Sequence, residues 1–186
     1  MNIGFAMCGS FCTYDQVFPA MQAVAEKHNV IPIFSECSYT TDSRFGTHTA
    51  HIETAEALCG KSVLHTIAQV EPIGPKKLLD LLVIAPCTGN TLSKMAAGIT
   101  DSAVTMAAKA HQRNGRPVVI AVASNDGLSG SAPAIGQLLM RKNLFFVPFG
   151  QDDPHNKPTS LIADFTLIPQ TVEAAFEGHQ LQPLLL

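Results

Sequence analysis

Residues Leu81–Asp101 read Leu-Leu-Val-Ile-Ala-Pro-Cys-Thr-Gly-Asn-Thr-Leu-Ser-Lys-Met-Ala-Ala-Gly-Ile-Thr-Asp, and their pattern decides the fold class. The opening run, Leu81 to Ala85, is short, unbroken and rich in branched apolar residues. Such a run predicts a strand buried on both faces, as in a parallel sheet. Pro86 has no N–H for a ladder, so the strand is expected to end there. Next come Thr88, Gly89, Asn90 and Thr91. Asn90 or Thr91 is placed to cap a helix that starts near Leu92. Strand, polar turn and helix N-terminus together bind anions at the carboxyl edge of a parallel sheet. The same residues equally suit a capped helix with no ligand.

Outward from this unit the chain repeats its logic. Ile3–Met7 predicts a first strand, Cys8–Thr13 a turn of small and polar groups, and Tyr14–Lys27 a helix. Val17, Met21, Val24 and Ala25 give that helix an apolar stripe. Gly9-Ser10 between strand and helix is a phosphate-cradle arrangement without the full dinucleotide fingerprint. Val30–Phe34 is the second strand, and Pro32 hints at a sheet edge. Ser35–Gly46 is polar and hydroxyl-rich, a binding or lid loop in which Arg44 is a candidate for an anion or for solvent. Thr47–Leu58 is a helix, Lys61–Thr66 a third strand, and Ile67–Lys77 irregular.

Beyond the central unit, Asp101–Asn114 predicts a helix closed by Gly115, and Val118–Val122 another buried strand. Ala123–Gly127 turns at its end. Pro133–Lys142 is a helix, Leu144–Val147 a short core strand, and Pro148–Pro158 a loop rich in Pro, Asp and Gly. Leu161–Leu167 is extended and Pro169–Gly178 a terminal helix. Strands alternating with helices predict an α/β fold: a three-layer, doubly wound, Rossmann-like parallel sheet of about six strands. The polar turns then share one sheet edge, and ligand belongs where the strand order reverses.

Composition narrows the function. The chain has 186 residues, 46% apolar and only 15% charged, with formal net charge −3. This suits one compact domain spanning 1–186, and low charge fits a surface partly covered in a homo-oligomer. No basic block is present, which argues against nucleic acid. No apolar run nears the ~20 residues that span a bilayer, and the first residues read as a strand rather than a leader, so a cytosolic protein is expected. Five cysteines without paired spacing argue against disulfides and structural zinc. Cys8 and Cys87 each follow a strand and are either near one crevice or simply small apolar residues. His48 and His51 lie three apart, but a third metal ligand is missing. No constellation stands out as catalytic: there is no nucleophile elbow or NAD fingerprint, and Glu71 with Asp80 makes no convincing acid pair.

Ala85-Pro86-Cys87-Thr88-Gly89-Asn90-Thr91, followed by Lys94, Ala97-Gly98 and Asp101, resembles the Ala-Pro-x-x-x-Asn-Thr signature of the flavoprotein family. That family includes the flavin-containing cysteine decarboxylases, and there this loop meets FMN. The start, Gly9-Ser10-Phe11-Cys12-Thr13, and the tail, Pro148–Pro154 with Lys157-Pro158, extend the similarity to a branch that serves as one half of a two-subunit, sporulation-associated oxidoreductase. The resemblance implies a partner subunit, a small dicarboxylate substrate and NADP as acceptor, with the partner to hold it. It also implies a cofactor-binding set. Gly9, Ser10, Phe11 and Thr13 match the first turn, and Ser35 the hydroxyl after the second strand. Cys87, Thr88, Asn90 and Thr91 match the signature, and Ser124 with Asn125 the later Asn motif.

The departures matter equally. The decarboxylases place a catalytic His fourteen positions before the signature Pro, where this chain has Pro72. Proline cannot serve as a general base. Val122 and Ser124 replace the Pro and Met beside the decarboxylase Asn. His65 lies nearby in sequence, as a substitute base or a strand histidine. Cysteine decarboxylation is therefore the least favoured function; a partner subunit without flavin chemistry is the second alternative.

Overall fold

The computed structural model describes residues 1–186, in the order β1 (Asn2–Met7), α1 (Tyr14–Ala25), β2 (Asn29–Phe34), α2 (Glu36–Thr40), α3 (His48–Cys59), α4 (Ile67–Val70), β3 (Leu81–Cys87), α5 (Gly89–Ala97), α6 (Ala103–Gln112), β4 (Val118–Ser124), α7 (Ala132–Leu139), β5 (Leu144–Phe146), β6 (Phe149–Asp153), β7 (Lys157–Ala163) and α8 (Ile168–Phe176). Strands β2-β1-β3-β4-β5 lie side by side and all parallel. β7 pairs antiparallel with the last two residues of β4, and β6 with β7, which makes seven strands in all. Helices α1, α3 and α8 pack together on one face, and α4 to α7 on the other.

Every residue of β3 and β4 is buried, as two-sided cover demands of central strands. The chain order reverses between β1 and β3, one strand leading outward to β2 and the other to β4. That is the switch point where a doubly wound sheet takes its ligand.

Several expectations need correction. β3 continues through Pro86 to Cys87; the pairing with β4 shifts register between Ile84 and Cys87, so the missing proline donor falls at the irregularity. Lys61–Thr66 is no strand, and only Leu64 bridges to Ile33 at the sheet edge. Ser35–Gly46 holds the short helix α2, and Ile67–Lys77 holds α4 followed by a 3-10 turn at Glu71–Ile73. Pro148–Pro158 is mostly the β6–β7 hairpin. Pro32 does sit on an edge strand.

His111, at the end of α6, is fully buried. Its Nε2 lies 3.0 Å from the Pro117 carbonyl and so carries the proton, and Nδ1 has no partner. Burial pushes its pKa down to about 4 from 6.5. Between those values the unfolded chain binds a proton that the folded chain excludes. Stability is therefore full above pH 6.5 and falls as pH drops toward 4. Urea unfolding across this range should lose up to about 1.4 kcal/mol per pH unit. His111→Leu should flatten that limb; an equally steep limb in the variant would assign it to other groups.

Candidate functional site

Three turns meet at the switch point, and backbone bonds weld them together. The Cys8 N–H donates to the Pro86 carbonyl at 3.3 Å, tying the end of β1 to β3, and the Ser35 N–H donates to Met7 O at 3.0 Å, tying β2 to β1. Side chains reinforce the join: Ser38 Oγ donates to Met7 O at 3.2 Å, Tyr14 OH to Cys8 O at 3.1 Å, and Thr91 Oγ1 to Cys8 Sγ at 3.2 Å.

Thr88, not Asn90 or Thr91, caps α5. It has extended backbone, and its Oγ1 accepts from the Thr91 N–H at 3.5 Å. The helix therefore starts at Gly89, three residues earlier than the sequence suggests. The N–H groups of Gly89 and Asn90 open it and have no acceptor within the helix.

These turns enclose a cavity of about 460 Å³ lined by Gly9, Ser35, Thr88, Asn90 and Thr91, together with Cys8, Glu36, Cys37, Lys94, Asp101 and Ser102. Lys94 donates to Asp101 at 2.9 Å, and that contact holds the Asp101 carboxyl below the ordinary carboxylate range. Burial raises the Cys8 thiol to about 11, so Cys8 is a neutral thiol at physiological pH and no nucleophile.

The other expected residues divide. Ser10, Thr13, Ser124 and Asn125 line a neighbouring cavity of about 180 Å³, with Cys12, Gln16 and the hairpin residues Asp152 and Lys157. The hairpin fixes the Asn125 turn through Thr159 Oγ1, which donates to Asn125 O at 2.8 Å. Phe11 packs against Tyr14 and His51 instead of lining either cavity, and Cys87 is buried in the core with its thiol pushed well up. Arg44 lies over the Phe45 ring, His48 pairs with Asp42 at 2.7 Å, and His51 is buried among aromatic rings. No group of three metal-ligating side chains exists.

Sequence reasoning missed Asp126 and Ser131. Ser124 and Ser131 hydroxyls donate to Asp126 Oδ1 at 2.5 and 2.8 Å and hold that carboxyl below its usual range. The cluster ties the ends of β4 and α7 to Gly89 of α5, whose missing Cβ makes room for it. The signal was the polar run Ser124-Asn125-Asp126, which reads as an ordinary turn. Glu36 reads as part of a loop; the Ser35-x-x-Ser38 cap spacing carries the cue, and the Ser38 N–H does donate to Ser35 Oγ.

The Flavoprotein family profile matches residues 2–140. Over its whole length the chain is 46% identical to the dipicolinate synthase B subunit of Bacillus subtilis (strain 168), covering 93% of that protein. The crystal structure of the dipicolinate synthase B subunit from Bacillus halodurans C superposes with a TM-score of 0.91 at 42% identity, over 100% of this chain and 95% of that one. The FMN-dependent cysteine decarboxylase SpaF shares the fold at 18% identity and a TM-score of 0.71, with 95% of each chain covered.

Proposed function

The chain belongs to the flavoprotein family, and we propose that it acts as the B subunit of a dipicolinate synthase, working with an A subunit. In this reading the two subunits convert a dihydrodipicolinate-level dicarboxylate to dipicolinate in the cytosol of a sporulating cell, with NADP as acceptor on the partner. The observation that carries the reading is the 46% identity along all 186 residues to a relative of that name. No helix is long and apolar enough to cross a membrane, which suits this setting.

The cradle supports a phosphate or carboxylate ligand: it offers Gly9, Asn90 and the open turn of α5, while the Thr88 hydroxyl donates to Thr91 Oγ1. In this reading FMN would enter by its phosphate end, and Asn125 lines the adjoining cavity. When bound, FMN would supply a redox-active ring. Cys8 and Cys37 are the only apolar residues lining the cradle, so cover for that ring would come from a neighbouring copy in a homo-oligomer. The chain itself orients the anion and excludes water at the β1–β3 crevice.

Pro72 lies in the 3-10 turn after α4 and lines none of these cavities. A missing general base costs about 10²–10⁴-fold. Purified chain should therefore leave peptidyl cysteine and phosphopantothenoylcysteine intact, and together with the A subunit it should yield dipicolinate, followed by absorbance. The same preparation should sediment as a species larger than 19.8 kDa. Decarboxylase turnover, or full dipicolinate output from the A subunit alone, would overturn the proposal.

A further inference from the structure

A third cavity, about 530 Å³, adjoins the cradle and shares Glu36, Asp101 and Ser102 with it. Its distinctive feature is a pair of rings. Tyr39 of α2 and His65, in the connection before α4, stack with centroids 3.6 Å apart and planes within 5°. Both line the cavity. The Tyr39 ring is partly exposed, and no side chain or backbone group of the protein bonds to the His65 imidazole. Such a platform recognises a planar ring by stacking. The imidazole adds ring nitrogens that no group of the protein occupies.

We propose that this third cavity seats the ring of a partially reduced pyridine dicarboxylate, and that His65 moves the proton when that ring loses water. This rests on the dipicolinate-forming reading. In the step, a ring nitrogen of His65 removes a proton from the ring carbon next to the hydroxyl-bearing carbon. The C–H electron pair becomes the new C=C bond as the C–O bond breaks, and His65 returns the proton to the leaving hydroxide. The products are water and the dihydro ring, with no change in oxidation state and no other reactant. Tyr39 is the positioning residue, holding the imidazole plane. Thr66 offers a hydroxyl donor to a carboxylate. Among the charged groups facing the cavity, Asp101 is offset by Lys94, while Glu36 has no ion-pair partner and opposes a dianion.

That opposition gives the proposal a distinctive test, read first as calorimetric binding of dipicolinate to the purified chain. Glu36→Gln should tighten binding several-fold. Tyr39→Leu should weaken it about two- to tenfold, as loss of a stacking partner does, and Tyr39→Phe should restore it. His65→Gln should still bind dipicolinate. With the A subunit present, its turnover of the hydroxylated substrate should fall about 10²–10⁴-fold. Unchanged binding in both Glu36→Gln and Tyr39→Leu would overturn the ring site, and full turnover by His65→Gln would overturn the proton role. The binding arm judges the cavity even if the pair of subunits makes no dipicolinate, which would count against the two-subunit reading instead.

Discussion

Gly89→Ala is expected to destabilise the chain by about 1–3 kcal/mol, the usual cost of forcing atoms into a packed site. A Cβ on Gly89 would press hardest on Ser131 Oγ, and would lie 2.5 Å from Ser124 Oγ and 2.7 Å from Asp126 Oδ1. All three atoms already belong to one hydrogen-bonded cluster, so none moves without breaking a charge-assisted contact. Relief would have to come from shifting α5 away from the end of β4, which would also reshape the cradle. In thermal unfolding this amounts to a fall of roughly 3–10 °C for a chain of this size. Gly136→Ala is the control. Gly136 lies within α7 and a Cβ there meets nothing within 4 Å. That change should stabilise by about 0.5–1 kcal/mol through helix propensity. Equal effects of the two substitutions would show that the Gly89 contact is not what holds the three elements together.

The second large effect is on function. Asn90 is exposed in the first turn of α5, lines the cradle, and its side chain bonds to nothing else in the chain. Removing its amide should leave stability within about 0.5 kcal/mol, as at other surface positions. A hydrogen bond to a charged ligand is worth about 1.5–3 kcal/mol, so Asn90→Ala should lower dipicolinate formation by the two-subunit enzyme about ten- to a hundredfold. Cys87→Ala, just upstream but with its side chain in the core, should do the reverse: lower the unfolding midpoint and leave turnover near that of the unaltered chain. Steady-state rates and urea midpoints on the same two proteins check the contrast. A rate loss in Cys87→Ala matching that of Asn90→Ala would remove the distinction between core and cradle.

What was legible in the chain was what local chemistry fixes. Leu81–Ala85 announces a buried strand because nothing but two-sided cover accommodates five apolar residues in succession. The hairpin at Phe149–Ala163 was hidden because its strands are held mainly by backbone pairing, while Gln151, Asp152, Lys157 and Pro158 face outward and read as loop. Lys61–Thr66 misled in the opposite way: Val63 and Leu64 look like a strand but supply cover at the edge of β2 with one bridge. The cap of α5 was misplaced because Thr88, Asn90 and Thr91 are all capping residues, and only backbone geometry picks Thr88. Turn chemistry located the cradle. Its division into two cavities depends on how the hairpin leans over Asn125, and the Tyr39–His65 stack joins residues 26 positions apart, one in a segment that reads as a loop and the other in one that reads as a strand.

The central claim is that ligand binds at the β1–β3 switch point. Its most direct test is a crystal structure of the chain grown with FMN and dipicolinate. The expected result is phosphate or carboxylate oxygens held at Gly9 on one side and at Thr88–Thr91 on the other. Both ligands bound elsewhere, with that crevice holding only water, would contradict it.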